Sequence, residues 1–102
     1  MDSPSLQSQQ SLVRREHLPL PRPYAAPTTP TERQLEEIWR KVLGMDQVGV
    51  NDRYTDLGGD SFLATTIFAM IEESFHVIIP LAALVEAPTI AELSKRIDTS
   101  KA

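Results

Sequence analysis

The chain has 102 residues, no cysteine and a formal net charge of −4; that length suits one domain with a modest core and excludes a substrate-enclosing enzyme with separate lobes. Without cysteine there is neither a disulfide framework nor a thiolate metal site. No apolar run approaches the roughly 20 residues of a bilayer span, and MDSPSLQSQQ lacks the basic and apolar regions of a secretory signal, so a cytoplasmic address is expected.

Charge and texture divide the chain. Residues 1–30 hold three basic and two acidic groups, and residues 31–102 hold seven and twelve. The acidic part has no basic footprint for a nucleic-acid backbone and suits a partner with a basic face. Six of the eight prolines lie in the first thirty residues, and LPLPRPYAAPTTP reads as an extended, polyproline-like segment. Pro19, Pro21, Pro23, Pro27 and Pro30 rule out a continuous helix there. The expected organisation is a proline-rich flexible linker over 1–28, a domain over 29–98 and a disordered tail over 99–102. Leu18, Leu20 and Tyr24 could fasten the linker to a neighbour, but its composition favours a solvated one.

From Thr29 the pattern turns helical. Thr29, Pro30 and Glu32 form a capping-box signature. Leu35, Ile38, Trp39, Val42 and Leu43 recur as one apolar stripe, which Gly44 ends. Trp39 lies within that stripe and reads as core. MDQVGVNDRYTDLGGD, residues 45–60, reads as a long loop anchored by Val48, Val50, Tyr54 and Leu57; loops of that length are usually functional or disordered, and the anchors argue against disorder. A second helix follows from about Ser61 to Phe75. At about 100° per residue, Leu63, Ala64, Ile67, Phe68, Ile71, Ser74 and Phe75 share the buried sector. Phe62, Ala69 and Glu73 lie opposite, with Thr65 and Thr66 on the flanks. Pro80 breaks the pattern, Leu81–Val85 suit one short helical turn, and Thr89 with Glu92 caps a last helix whose inward row is Ile90, Leu93 and Ile97. No segment alternates convincingly as a strand. The expected fold is all-α, a small four-helix bundle of three main helices and one short one.

The stretch DLGGDSF, Asp56–Phe62, carries the chemistry. A nucleophilic serine needs a base within hydrogen-bond reach, and the two histidines, His17 and His76, lie in the linker and about a helix length away. A nucleophile elbow also follows a strand, and none precedes Ser61. Read as a calcium loop, with Asp52, Tyr54 and Asp56 as the first ligands, the segment places Leu57 where glycine is needed and Leu63 where glutamate belongs. Paired carboxylates for glycoside chemistry would need a cleft that so small a bundle does not offer. An attachment point fits better. A helix N-terminus favours a negatively charged group, and Gly58 and Gly59 leave the hydroxyl open to approach. Asp60 would disfavour a phosphate at Ser61, so its role is assigned to a partner's magnesium or basic side chain. Position alone also suits an ordinary N-cap at Ser61. Phe62, large and apolar on the solvent face, favours a modified serine at a docking surface.

YTDLGGDSFLATTIFAMIEESF resembles the core signature of phosphopantetheine-bearing carrier domains, especially the peptidyl carrier (thiolation) domains of nonribosomal peptide synthetases. The flanks TERQLEEIWRKVLGMDQVGVNDRYTDLGGDS and PLAALVEAPTIAELSKRI resemble the family's first and last helices, over residues 30–98 or so. LPLPRPYAAPTTPTE is similar to linkers that follow an adenylation domain. The resemblance implies that Ser61 receives 4′-phosphopantetheine from coenzyme A through a magnesium-dependent phosphopantetheinyl transferase, with Asp60, Gly59 and Gly58 forming the approach. It implies a non-catalytic shuttle of aminoacyl or peptidyl thioesters among adenylation, condensation, epimerisation or thioesterase domains, as a monomer without nucleic acid or membrane. Phe62, Thr65, Ala69 and Met45 are the docking candidates. Two departures stand out: Val85 occupies a position where the family often has an aromatic residue, which is expected to loosen the short helix, and Asp60 replaces a frequent histidine. A polyketide-type acyl carrier and an unmodified helical interaction module are the competing readings.

Overall fold

Thr29 fixes where the bundle begins. In the computed structural model, which describes residues 12–101, its hydroxyl accepts the Glu32 N–H at 3.0 Å. The Glu32 carboxylate reaches back to the amides of Thr28 and Thr29. The box starts α1, Pro30–Leu43, with proline where a missing N–H costs nothing. Gly44 ends it at φ +68°, in the left-handed region that glycine enters freely. The helix α2 runs Ser61–Phe75 and ends on His76, also left-handed at φ +59°. The short α3 spans Ala83–Glu86, and α4 spans Ile90–Lys101. Thr89 caps α4 by accepting the Glu92 amide at 3.2 Å.

The expected all-α architecture is the one found: among the described residues there are four α-helices, two 3₁₀ turns and no strand. None of these helices is long and apolar enough to cross a membrane. The helix α1 packs against both α2 and α4, and the stripe on each supplies the core. Leu35, Trp39, Ile67, Ile71, Ile90, Leu93 and Ile97 are fully buried. Trp39 is there for its ring, since its indole N–H is buried with no acceptor among the described residues. The loop's four anchors, Val48, Val50, Tyr54 and Leu57, all enter the same core. Three sequence expectations for α2 shift: Leu63 and Phe68 are only half-buried and Ser74 is exposed, while Ala64, Ile67, Ile71 and Phe75 are the buried residues of the helix.

Two larger differences concern the edges. Residues 12–28 make one 3₁₀ turn, Arg15–His17, and form no α-helix, as their prolines require, but they lie against the bundle rather than in solvent. Val13 pairs with Met45 in an isolated parallel bridge. Leu18, Leu20 and Ala25 pack on the core. Arg15 is buried and forks onto Asp52 at 2.6 and 2.7 Å. A guanidinium can be withdrawn from water when a carboxylate meets it bidentately. Residues 1–11 of the expected linker lie outside the described residues. At the other end, α4 continues to Lys101, through most of the segment expected to be a disordered tail.

Met45, expected at the docking surface, is 2% exposed. Gly44 turns the chain so that the Met45 N–H bonds to the Arg40 carbonyl, and the Met45 side chain joins the core cluster. Val85, expected to loosen α3, is 85% exposed, and Leu84 beside it takes the buried position. The missing aromatic therefore leaves no hole. We expect Leu84→Ala to lower unfolding free energy by about 2–4 kcal/mol and Val85→Ala to change it by less than about 0.5 kcal/mol in urea titrations; comparable losses would place Val85 in the core.

Candidate functional site

The site grows out of one side chain below it. Tyr54 is 3% exposed, set edge-on to Trp39 with ring centroids 5.5 Å apart. Its N–H donates to the Pro88 carbonyl at 2.9 Å, tying the loop to the start of α4. Its carbonyl accepts from Leu57 and Gly59 as the chain makes the 3₁₀ turn Thr55–Leu57. Its phenol donates to the Asp60 carbonyl at 2.7 Å. A buried tyrosine needs such an acceptor, and this one belongs to the residue before Ser61.

The two glycines answer different demands. Gly58 sits at φ +86°, a conformation that a side chain would strain. Gly59 is constrained by space instead: a Cβ there would fall inside the Tyr54 ring. Asp60 is the N-cap of α2, its carboxylate accepting the Leu63 N–H at 2.9 Å. This corrects the sequence reading in which Ser61 could cap. Asp60 satisfies the orphan amide, so Ser61 becomes the first helical residue with its hydroxyl left over. Ser61 is exposed, and its hydroxyl makes no hydrogen bond to a described residue.

Around that hydroxyl lies a groove of about 580 Å³ whose walls include Tyr54, Ala64, Leu81, Val85 and Pro88, with Arg53 as its one cation among the described residues. Phe62 projects beside it, 78% exposed, and Thr65 and Ala69 are exposed on the same helix. The Thr65 hydroxyl is turned back to the Ser61 carbonyl at 3.0 Å. His76 lies at the opposite end of α2, roughly 20 Å along the axis at 1.5 Å per residue, and His17 lies within residues 12–28, beside Glu16. Neither is placed to activate Ser61. The loop carboxylates do not converge either: Asp52 is taken by Arg15, and Asp60 by the helix cap.

The sequence pattern marks Tyr54 only as a core anchor, and the structure adds the role of its phenol. The signal was there: an apolar anchor position filled by a residue whose hydroxyl must be satisfied, a few residues before the glycines. Burial, and then the charge of Asp60, raise its pKa above 10.0. The folded state therefore keeps the proton to higher pH than the unfolded chain does. The stability this contributes is complete below pH 10.0 and is lost as pH rises towards the folded value. Tyr54→Phe should cost about 1 kcal/mol at neutral pH and should lose stability less steeply above pH 10 than the natural chain; parallel alkaline limbs in pH-dependent urea unfolding would contradict this. Gly59→Ala should cost about 1–3 kcal/mol, since the Tyr54 ring must move, and unchanged thermal unfolding would show that the close approach is not real.

Known proteins resemble this chain in sequence and fold. The family model described as the phosphopantetheine attachment site matches residues 33–97. Tyrocidine synthase 3 of Brevibacillus parabrevis is 44% identical over 78 residues, covering 76% of this chain and 1% of that protein. A solution structure of an active-site mutant peptidyl carrier protein superposes with a TM-score of 0.74 at 34% identity, covering 78% of this chain and 88% of that one. The peptidyl carrier protein in a complex with a phosphopantetheine transferase and coenzyme A aligns with a TM-score of 0.73 at 36% identity, over 74% of this chain and 99% of that one. The chain belongs to the phosphopantetheine attachment site family and has the fold of peptidyl carrier proteins. It spans about one hundredth of the length of the curated synthetase it matches.

Proposed function

We propose that Ser61 carries 4′-phosphopantetheine and that the domain holds aminoacyl or peptidyl groups as thioesters during nonribosomal peptide assembly. The observation that carries this reading is an exposed hydroxyl, without a partner among the described residues, on the first residue of α2, presented by a turn that Tyr54, Gly59 and Asp60 hold. The residues fit such a group. The free amides at the start of α2 suit a phosphodiester, and the neighbouring groove offers apolar walls and Arg53. The terminal thiol of the arm supplies the thioester, which stays activated towards amines.

In the loading reaction Ser61 Oγ attacks the phosphorus of coenzyme A that bears the pantetheine, the pyrophosphate bond breaks so that 3′,5′-ADP leaves, and the serine proton passes to a base on the transferase. No base need come from this chain, which fits a carrier that catalyses no bond formation of its own. One oxygen of Asp60 caps α2; the other is left for the transferase's magnesium or a basic side chain. Phe62, Thr65 through its methyl group, and Ala69 form the docking face for the transferase and for adenylation, condensation, epimerisation or thioesterase domains. Tethering then raises the local concentration of the cargo at each of them. A cytoplasmic site of action belongs to the same proposal.

Incubation with coenzyme A, magnesium and a broad-specificity transferase should add one phosphopantetheine mass to the intact chain. Ser61→Ala should abolish the addition, whereas Phe62→Ala should still fold and should slow loading or later aminoacyl transfer by about tenfold or more. A folded sample that gains no mass would end the reading, and undiminished transfer in Phe62→Ala would remove Phe62 from the docking face. Charging of the loaded protein by malonyl but not aminoacyl donors would point instead to polyketide-type cargo.

A further inference from the structure

Residues 12–28 meet the bundle through a small set of bonds. The Val13 N–H donates to the Gly44 carbonyl, and the Val13 carbonyl accepts from Asp46. The Arg15 N–H donates to the Asp46 carboxylate at 2.9 Å, and further along the Val50 N–H donates to the Ala25 carbonyl. Between these points the Arg22 guanidinium donates to the Asn51 carbonyl at 3.3 Å, and the other polar contacts centre on one side chain. The Arg15 guanidinium forks onto both oxygens of Asp52, donates to the Arg22 carbonyl at 3.0 Å, and lies over the Tyr24 ring at 5.3 Å. It thus binds the strap to the loop and also folds the strap onto itself. Asp52 is equally occupied: its side chain is 1% exposed and also accepts the Gly49 N–H.

The rest of the contact is thin. Leu12, Val13 and Tyr24 are more than two-fifths exposed, the prolines at 19, 21 and 23 face solvent, and only Leu18, Leu20 and Ala25 touch the core, each incompletely buried. A buried ion pair adds little net stability but fixes register strongly. A segment with few apolar contacts opens at lower free energy than the core it covers.

We propose that residues 12–28 are a releasable strap, latched by the Arg15–Asp52 fork, whose opening lengthens the tether in front of the carrier while the bundle stays folded. Freed as a polyproline-like chain at about 3.1 Å per residue, the strap adds roughly 50 Å of reach. The inference rests on the reading of this domain as a travelling carrier, for which reach decides which partners Ser61 can meet.

Hydrogen–deuterium exchange on the full 102-residue chain tests it. In the natural sequence the amides of Val13, Asp46 and Val50, which bond across the strap, should exchange at least about tenfold faster than those of Ile67 and Ile71 in the core. Arg15→Ala should speed the three strap-linked amides by a further tenfold or so and leave the two core amides unchanged; Arg15→Lys, keeping charge without the fork, should fall between. Equal rates for strap and core amides in the natural chain would mean that the segment is a permanent part of the domain and overturn the proposal. So would Arg15→Ala if it left the strap amides unaltered or exposed the core with them. None of these readouts involves coenzyme A, so a failure here is separable from a failure of Ser61 to load.

Discussion

The Tyr54 ring is the constraint on which the rest of this structure depends. It stacks edge-on to the most buried aromatic side chain of the bundle, and its upper face leaves room for hydrogen but not for carbon at Gly59. Its hydroxyl then ties down the Asp60 carbonyl, which also accepts the Ala64 amide of α2. The position of Ser61 is thereby referred to the core and not to a free loop. A reactive position gains from being held by rigid neighbours. Here the neighbours belong to four elements: Trp39 from α1, the long loop, the start of α2, and Pro88 before α4.

On the function proposed for it, the chain presents a hydroxyl and leaves the acid–base chemistry to its partners, so a small bundle serves without an enclosed cleft. What the structure offers is a held turn, an exposed aromatic side chain at Phe62 and an acidic composition. The ion pair between Arg15 and Asp52 serves a different end. It places a proline-rich segment against the loop that leads to Tyr54, so the approach to the carrier and the carrier's own attachment turn share a boundary at residues 52–54.

Much of this was legible in the sequence because it rests on local rules. The capping boxes at Thr29 and Thr89, the stripe of α1 and the outward placement of Phe62 follow from helical periodicity and short-range hydrogen bonding. So does a helix starting at Ser61; the proposed use of its hydroxyl came from Phe62 beside it and from the family resemblance. What was not legible depends on pairs far apart in the chain. The Arg15–Asp52 fork joins residues 37 positions apart, and no local pattern distinguishes Arg15 from Arg14 beside it. Met45 looked like a surface loop residue because it follows the Gly44 turn, whereas its burial comes from joining the core cluster, and its pairing with Val13 spans more than thirty positions. Val85 looked like a defect because its helical phase cannot be read from so short a helix; Leu84 fills the core instead. Asp60 and Ser61 are both good caps, and their order was decided by the Tyr54 bond to the Asp60 carbonyl.

The central claim is that the attachment turn is ordered before any arm or partner arrives. Native-state hydrogen exchange at two amides of the unmodified protein tests it most directly: Gly59, which donates to the Tyr54 carbonyl, and Leu63, which donates to the Asp60 carboxylate. Both should be protected by about a hundredfold or more relative to an unstructured peptide. Exchange at unprotected rates at both positions, with the Ile71 amide still protected, would show that the turn around Ser61 is not held by Tyr54 and would contradict that claim.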